Sequence, residues 1–129
     1  DEATDENPIT LSTADAQTST ATNAVGFAYT GAGTAGWKAV SVNAGAAGTV
    51  TRCAGAGVVT TPVVGTWQTF KVVIYADGDA DFFINGLWQY NEQLAVSPST
   101  LLNFFVAQQD GGTARSTDID YIEVWAGRR

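Results

Sequence analysis

Between Trp67 and Tyr75 the side chains fall into two alternating rows. Trp67, Thr69, Lys71, Val73 and Tyr75 form one, and Gln68, Phe70, Val72 and Ile74 the other, the two-residue period of a strand with two unlike faces. Asp77-Gly78 then interrupts the pattern, and Asn85-Gly86 interrupts it again. Asn-Gly supplies the two positive φ angles that a tight hairpin turn needs. Phe82, Phe83 and Ile84, between the two breaks, are aromatic and β-branched, as strands prefer. From Thr66 to Tyr90 the pattern therefore predicts strand, turn, strand, turn, strand. Such a meander has one apolar face, and the rest of the chain must supply a layer to cover it.

The remaining segments read as further short strands. Ile9–Leu11 is one. In Ala24–Thr30, Val25, Phe27 and Tyr29 alternate with small residues, and in Trp37–Asn43, Lys38, Val40 and Val42 share a face. Thr49–Cys53, Val58–Val64, Leu101–Gln109 and Asp118–Ala126 complete the set. The last alternates Ile119, Tyr121, Glu123 and Trp125 against Asp120, Ile122 and Val124. Residues 12–23 are polar and rich in Ser and Thr, which predicts a loop, and residues 91–100, with Pro98, predict another. Glycine-rich runs at 31–36, 44–48 and 110–117 predict turns. The run at 31–36 is no phosphate loop, because neither Lys-Ser/Thr nor a helical pattern follows it. Four of the first eight residues are carboxylates, so residues 1–8 read as a flexible acidic arm ahead of one domain over 9–129. About eight to ten short strands with regular turn signals and no helix predict an all-β sandwich or barrel.

Composition narrows the function. The 129 residues suffice for one domain with a real core, and 45% are apolar. The net charge of −7, with only six scattered Lys and Arg, argues against nucleic acid as a partner, since phosphate contacts need clustered cations. No run approaches the roughly 20 apolar residues of a membrane-spanning helix, so no membrane partner is expected. The single cysteine, Cys53, can form no internal disulfide. With no histidine in the chain to act as a base, it reads as a small packed side chain.

At this point a resemblance enters. GTWQTFKVVIYADGDADFFINGLWQY resembles a stretch of concanavalin A-like lectin and glucanase jelly rolls, in which a Trp leads an alternating strand, a Gly turn and an aromatic strand ending in Asn-Gly or Asp-Gly. DIDYIEVWA looks like their final strand, and SPSTLLNFFVAQQDGGTARST matches the penultimate strand and its turn. The likeness covers residues 65–126 well and 9–64 loosely. It implies an antiparallel two-sheet jelly-roll sandwich. More narrowly, INGLWQYNEQLAVSPSTLLNFFVAQQDGGTARSTDIDYIEV is similar to domains of tailed-bacteriophage virion proteins, used as capsid decoration, head fibres or tail-associated modules. That likeness implies upstream strands before residue 1 and localisation to a virion. It also implies protein–protein contacts with other virion proteins and with further copies of the chain as a homo-oligomer.

Three kinds of chemistry can be weighed on the residues. The resemblance to glucanases implies a Glu-x-Asp-x-Glu cluster, for which Asp118-Ile-Asp120-Tyr-Ile-Glu123 is the nearest candidate. Asp118 and Asp120 share a face but Glu123 falls on the other, and the segment matches the family's terminal strand rather than its catalytic one. A retaining mechanism needs two carboxyls about 5 Å apart, so no catalytic residues are expected. Asp77, Asp79 and Asp81 have the spacing that opens a calcium loop, but Phe82 stands where Gly is required and Trp88 where the closing acid belongs; no metal or cofactor is expected. Sugar sites combine exposed aromatic rings with amide and carboxylate side chains. Trp88 and Tyr90, with Gln89 and Asn91 beside them, fit that description, but tryptophans in β-sandwiches mostly belong to the core, so packing in the core or in a subunit contact is the first expectation for both rings. Two readings follow: a non-catalytic structural component of a phage particle, and a carbohydrate-binding, lectin-like module acting on surface glycans.

Overall fold

The computed structural model describes residues 9–12, 16–30, 36–48, 51–53, 61–63, 65–98, 102, 106 and 117–125. Among these residues the fold is all-β. The strands are β1 (Ile9–Leu11), β2 (Gln17–Ser19), β3 (Ala24–Thr30), β4 (Gly36–Asn43), β5 (Ala46–Ala47), β6 (Thr51–Arg52), β7 (Phe70–Ile74), β8 (Ala80–Ile84) and β9 (Leu87–Glu92). They form three antiparallel sheets. β1 pairs with β2, β4 pairs with β3, β5 and β6, and β7–β8–β9 is the meander whose pattern is plain in the sequence. Asn85 and Gly86 carry positive φ angles of 52° and 76° between β8 and β9. Asn85 also ties this turn to the lead-in of β7, accepting from the Thr69 amide through Oδ1 and donating its own amide to Thr69 O, both at 2.9 Å.

Two of the sheets face each other across the core. On β8, Ala80, Phe82 and Ile84 are buried, whereas Asp81 and Phe83 are only partly so. The buried row meets Ala39 of β4, Cys53 and Ala95, with Val25, Phe27, Trp37, Val72 and Tyr90 packed around them. Phe27 is the hinge of this contact. Its ring lies 5.1 Å from Phe70 and 5.4 Å, edge-on, from Phe82, while Trp37 lies 4.5 Å from Phe70. Such offset aromatic contacts add to the burial of their area. The opposite face of β4 is covered as well, so that even Lys38 is only 2% exposed; its ammonium donates to Gly36 O. A polar clip joins the ends of the layers. Asn23 Oδ1 accepts from the amides of Ser97 (2.8 Å) and Ala44 (3.3 Å), and Asn43 bonds Leu94 O and the Ser97 hydroxyl.

The structure departs from the sequence pattern in several places. β2 arises inside residues 12–23, which read as loop, because pairing with β1 compensates for a polar, Thr-rich segment. β5 arises inside the glycine-rich run 44–48, where Ala44 and Gly45 (φ 50° and 82°) fold a tight hairpin back on β4. Only Phe70–Ile74 of the alternating run 67–75 forms a ladder. The expectation of a strand at Asp118–Ala126 is corrected over 117–125, where no residue is in a strand and all are exposed. Alternation gives a segment a preference for extension, but a strand also needs a neighbour for its backbone groups. The arm at 1–8 lies outside the described residues, as does most of the expected strands at 58–64 and 101–109.

Candidate functional site

The outward face of the meander gathers two exposed aromatic rings, Tyr75 and Trp88, around polar side chains. Register places Lys71, Phe83 and Trp88 in one row across the three strands, and Val73, Asp81 and Asn91 in the next. Tyr75 follows directly on β7. At the centre, Asp81 on the middle strand accepts three hydrogen bonds. Tyr75 Oη donates to its Oδ2 at 2.7 Å, Trp88 Nε1 donates to Oδ1 at 3.0 Å, and Asn91 Nδ2 donates to Oδ1 at 3.0 Å. One carboxylate thus orients a ring from each flanking strand. Both rings remain open to solvent, Tyr75 at 46% and Trp88 at 56% exposed. Lys71 stands over Phe83, its ammonium 5.3 Å from the ring centroid, a cation–π contact.

The electrostatics agree with this geometry. Hydrogen bonds from Tyr75, Trp88 and Asn91, in that order, hold the Asp81 carboxyl below the usual 3.8, outweighing a small opposing cost of desolvation. The bond to Asp81 pushes the Tyr75 phenol above 10.0, helped by desolvation and by the charges of Asp81 and Asp77. Asp81 is therefore an anion and an acceptor at neutral pH, and Tyr75 stays a donor.

A β-bulge makes the arrangement. Tyr90 pairs with Phe82 and Trp88 pairs with Phe83, so Gln89 is the extra residue. In an unbroken strand residues 88 and 90 would share a face. The extra residue turns Trp88 outward and sends Tyr90 to the core, where its ring lies 6.4 Å from Phe82. Gln89 spends its amide on the local backbone, donating to Leu87 O and Trp88 O. Of Trp88, Gln89, Tyr90 and Asn91, the structure thus brings Trp88 and Asn91 together and sets Tyr90 apart. Tyr75 and Asp81 are the residues sequence reasoning missed. Their signal was parity: Asp81 alternates with the apolar Ala80 and Phe82, and Tyr75 shares a row with Lys71 and Val73.

The other candidates are otherwise engaged. Asp77 Oδ1 accepts from the Asp79 amide, closing the Asp77-Gly78 turn, and Asp79 Oδ1 accepts from the Leu94 amide at 2.8 Å. Among the described residues no three or more His, Cys, Asp or Glu side chains gather as a metal site. Cys53 is buried, and desolvation raises its thiol above 9.0 despite a backbone bond from Ala39, which makes the nucleophilic thiolate scarcer. Asp118, Asp120 and Glu123 are all exposed. Among the described residues no helix is long and apolar enough to cross a membrane. Comparison of the chain with protein families, with characterised proteins and with solved structures finds no match to any of them.

Proposed function

We propose that this chain is a non-catalytic recognition module that binds carbohydrate on the outward face of β7–β9. The observation that carries this reading is the convergence of Tyr75, Trp88 and Asn91 on Asp81. Two solvent-exposed rings are held in place by a carboxylate to which an amide is also bonded, the combination of apolar platform and oriented polar groups on which sugar recognition depends. The reading is tested by screening the purified chain on a glycan array and repeating the screen with Trp88→Ala. Binding that disappears in the variant, with unchanged circular dichroism, is the expected result. Binding that survives moves the site elsewhere.

A second reading rests on a different observation. Ile119, Tyr121, Ile122, Val124 and Trp125 are all at least half exposed, an apolar surface suited to meeting a partner subunit. It suits the reading of the chain as a concanavalin A-like jelly roll that serves as a structural or decoration component of a phage particle, in contact with other virion proteins or with further copies of itself. Cosedimentation of the chain with capsid-sized particles on a density gradient supports that role. Recovery as a small free species counts against it.

A further inference from the structure

The unused hydrogen-bonding valence on the β7–β9 face dictates what kind of ligand it can take; this step rests on the carbohydrate reading above. Around Asp81 each side-chain hydrogen is already committed. The Trp88 N–H and the Tyr75 O–H go to the carboxylate. Of the two Asn91 amide hydrogens, one goes to Asp81 Oδ1 and the other to Ala80 O at 3.4 Å. Both neighbours of that NH2 are acceptors, which also dictates how the amide is turned. What remains is lone pairs: the free capacity of Asp81 Oδ2, the Tyr75 phenol oxygen, and Asn91 Oδ1, to which no described residue is seen to donate. Lys71 brings an ammonium to the same face, but it stands over Phe83 in the neighbouring row.

A patch that offers acceptors wants a ligand that brings donors. Charge points the same way. From Thr66 to Pro98 the chain carries four carboxylates, Asp77, Asp79, Asp81 and Glu92, against the single ammonium of Lys71. A carboxylate, sulfate or phosphate on the ligand would meet lone pairs and negative charge together around Asp81, where Tyr75, Trp88 and Asn91 have no side-chain hydrogen left to donate and the Lys71 ammonium lies in the next row.

We infer that the ligand is a hydroxyl-rich sugar, neutral or basic, that carries no anionic group. Its ring lies on the Trp88 indole, and its hydroxyls donate to Asp81 Oδ2 and Asn91 Oδ1. The ionised Asp81 thus has two tasks, orienting Tyr75 and Trp88 with one set of lone pairs and receiving the sugar with the remainder.

Isothermal titration of the full chain tests this with three groups of probes: neutral gluco-, manno- and galacto-oligosaccharide hexamers, oligogalacturonate, and the chitosan hexamer. The expected result is binding of one or more of the neutral or chitosan hexamers and none of oligogalacturonate. Asn91→Ala, which removes an acceptor but leaves the Tyr75 and Trp88 bonds to Asp81, should weaken it at least tenfold, and Asp81→Asn should weaken it further. Tryptophan emission of Asn91→Ala that matches the parent shows that the platform is intact. Preference for oligogalacturonate overturns the inference but leaves the carbohydrate reading standing. Binding of the other hexamers that both variants retain overturns it as well. If the parent chain binds none of the probes and no glycan on the array, the carbohydrate reading fails and this inference with it.

Discussion

Ala44 is a non-glycine residue at φ 50° in the β4–β5 turn, a conformation that costs an L-residue with a Cβ about 1 kcal/mol. Ala44→Gly relieves that cost and is expected to raise Tm by a few degrees in a thermal melt. Gly78 presents the opposite case. It has φ 93°, and a Cβ there would run into Val96 O, a backbone atom that cannot swing aside. Gly78→Ala is expected to lower stability by roughly 1–3 kcal/mol, read as a shifted urea midpoint with an unchanged m-value. Asp81 has its own signature. Its folded-state carboxyl titrates below the usual 3.8, so its bonds contribute fully above that value and are lost only as pH falls through the lower, folded pKa. The Trp88 signal, taken as the difference between parent and Trp88→Phe emission, should stay flat down to about pH 4 and change below it. A transition near neutrality would show that some other group holds the indole. The turn residues were legible in the sequence, because Asn-Gly and Asp-Gly announce a local backbone need. Ala44 was not, since alanine carries no such preference and its φ is imposed by the pairing of β4 with β5.

At the scale of the element, β9 is the telling case. Simple alternation puts Trp88 and Tyr90 on one side, and the bulge at Gln89 separates them. Deleting Gln89 would leave Tyr90 opposite Phe82 and Trp88 opposite Phe83 in an unbroken ladder. The deletion variant is therefore expected to fold with Trp88 still solvent-exposed, which iodide quenching measures. A buried indole in that variant would mean that the strand had slipped in register instead. Nothing in residues 87–92 marks the bulge, for the extra residue is a glutamine rather than a glycine. It follows from register, with Phe82 drawing Tyr90 into the core and Asp81 drawing Trp88 outward.

For the whole molecule, the central fact is the meeting of β8 with the β3–β4 sheet through Phe82 and Phe27. Phe82 is wholly buried, and Phe82→Ala is expected to cost about 3–5 kcal/mol. That is a large part of the stability of a domain this size, and near-ultraviolet circular dichroism should report the loss of aromatic packing. The covering layer the meander requires was foreseeable from alternation. Alternation also set Val25 and Phe27 on one face of β3, but only packing decided that this face meets the core. The burial of Lys38 was not. Its row in β4 reads as half-polar, and only coverage of both faces of the sheet encloses it.

By itself the sequence determined the class of structure and its punctuation: extended segments with a two-residue period, turns where Gly and Asn permit positive φ, and an acidic chain with neither histidine nor clustered cations. These properties belong to single residues and their near neighbours. Only the tertiary structure decided which extended segments found partners, so that β2 became a strand while residues 117–125 did not. It alone brought Tyr75, Asp81, Trp88 and Asn91 onto one face. A strand's ladder and a shared carboxylate both depend on cross-strand register, and register is a compromise among side chains that only packing brings together.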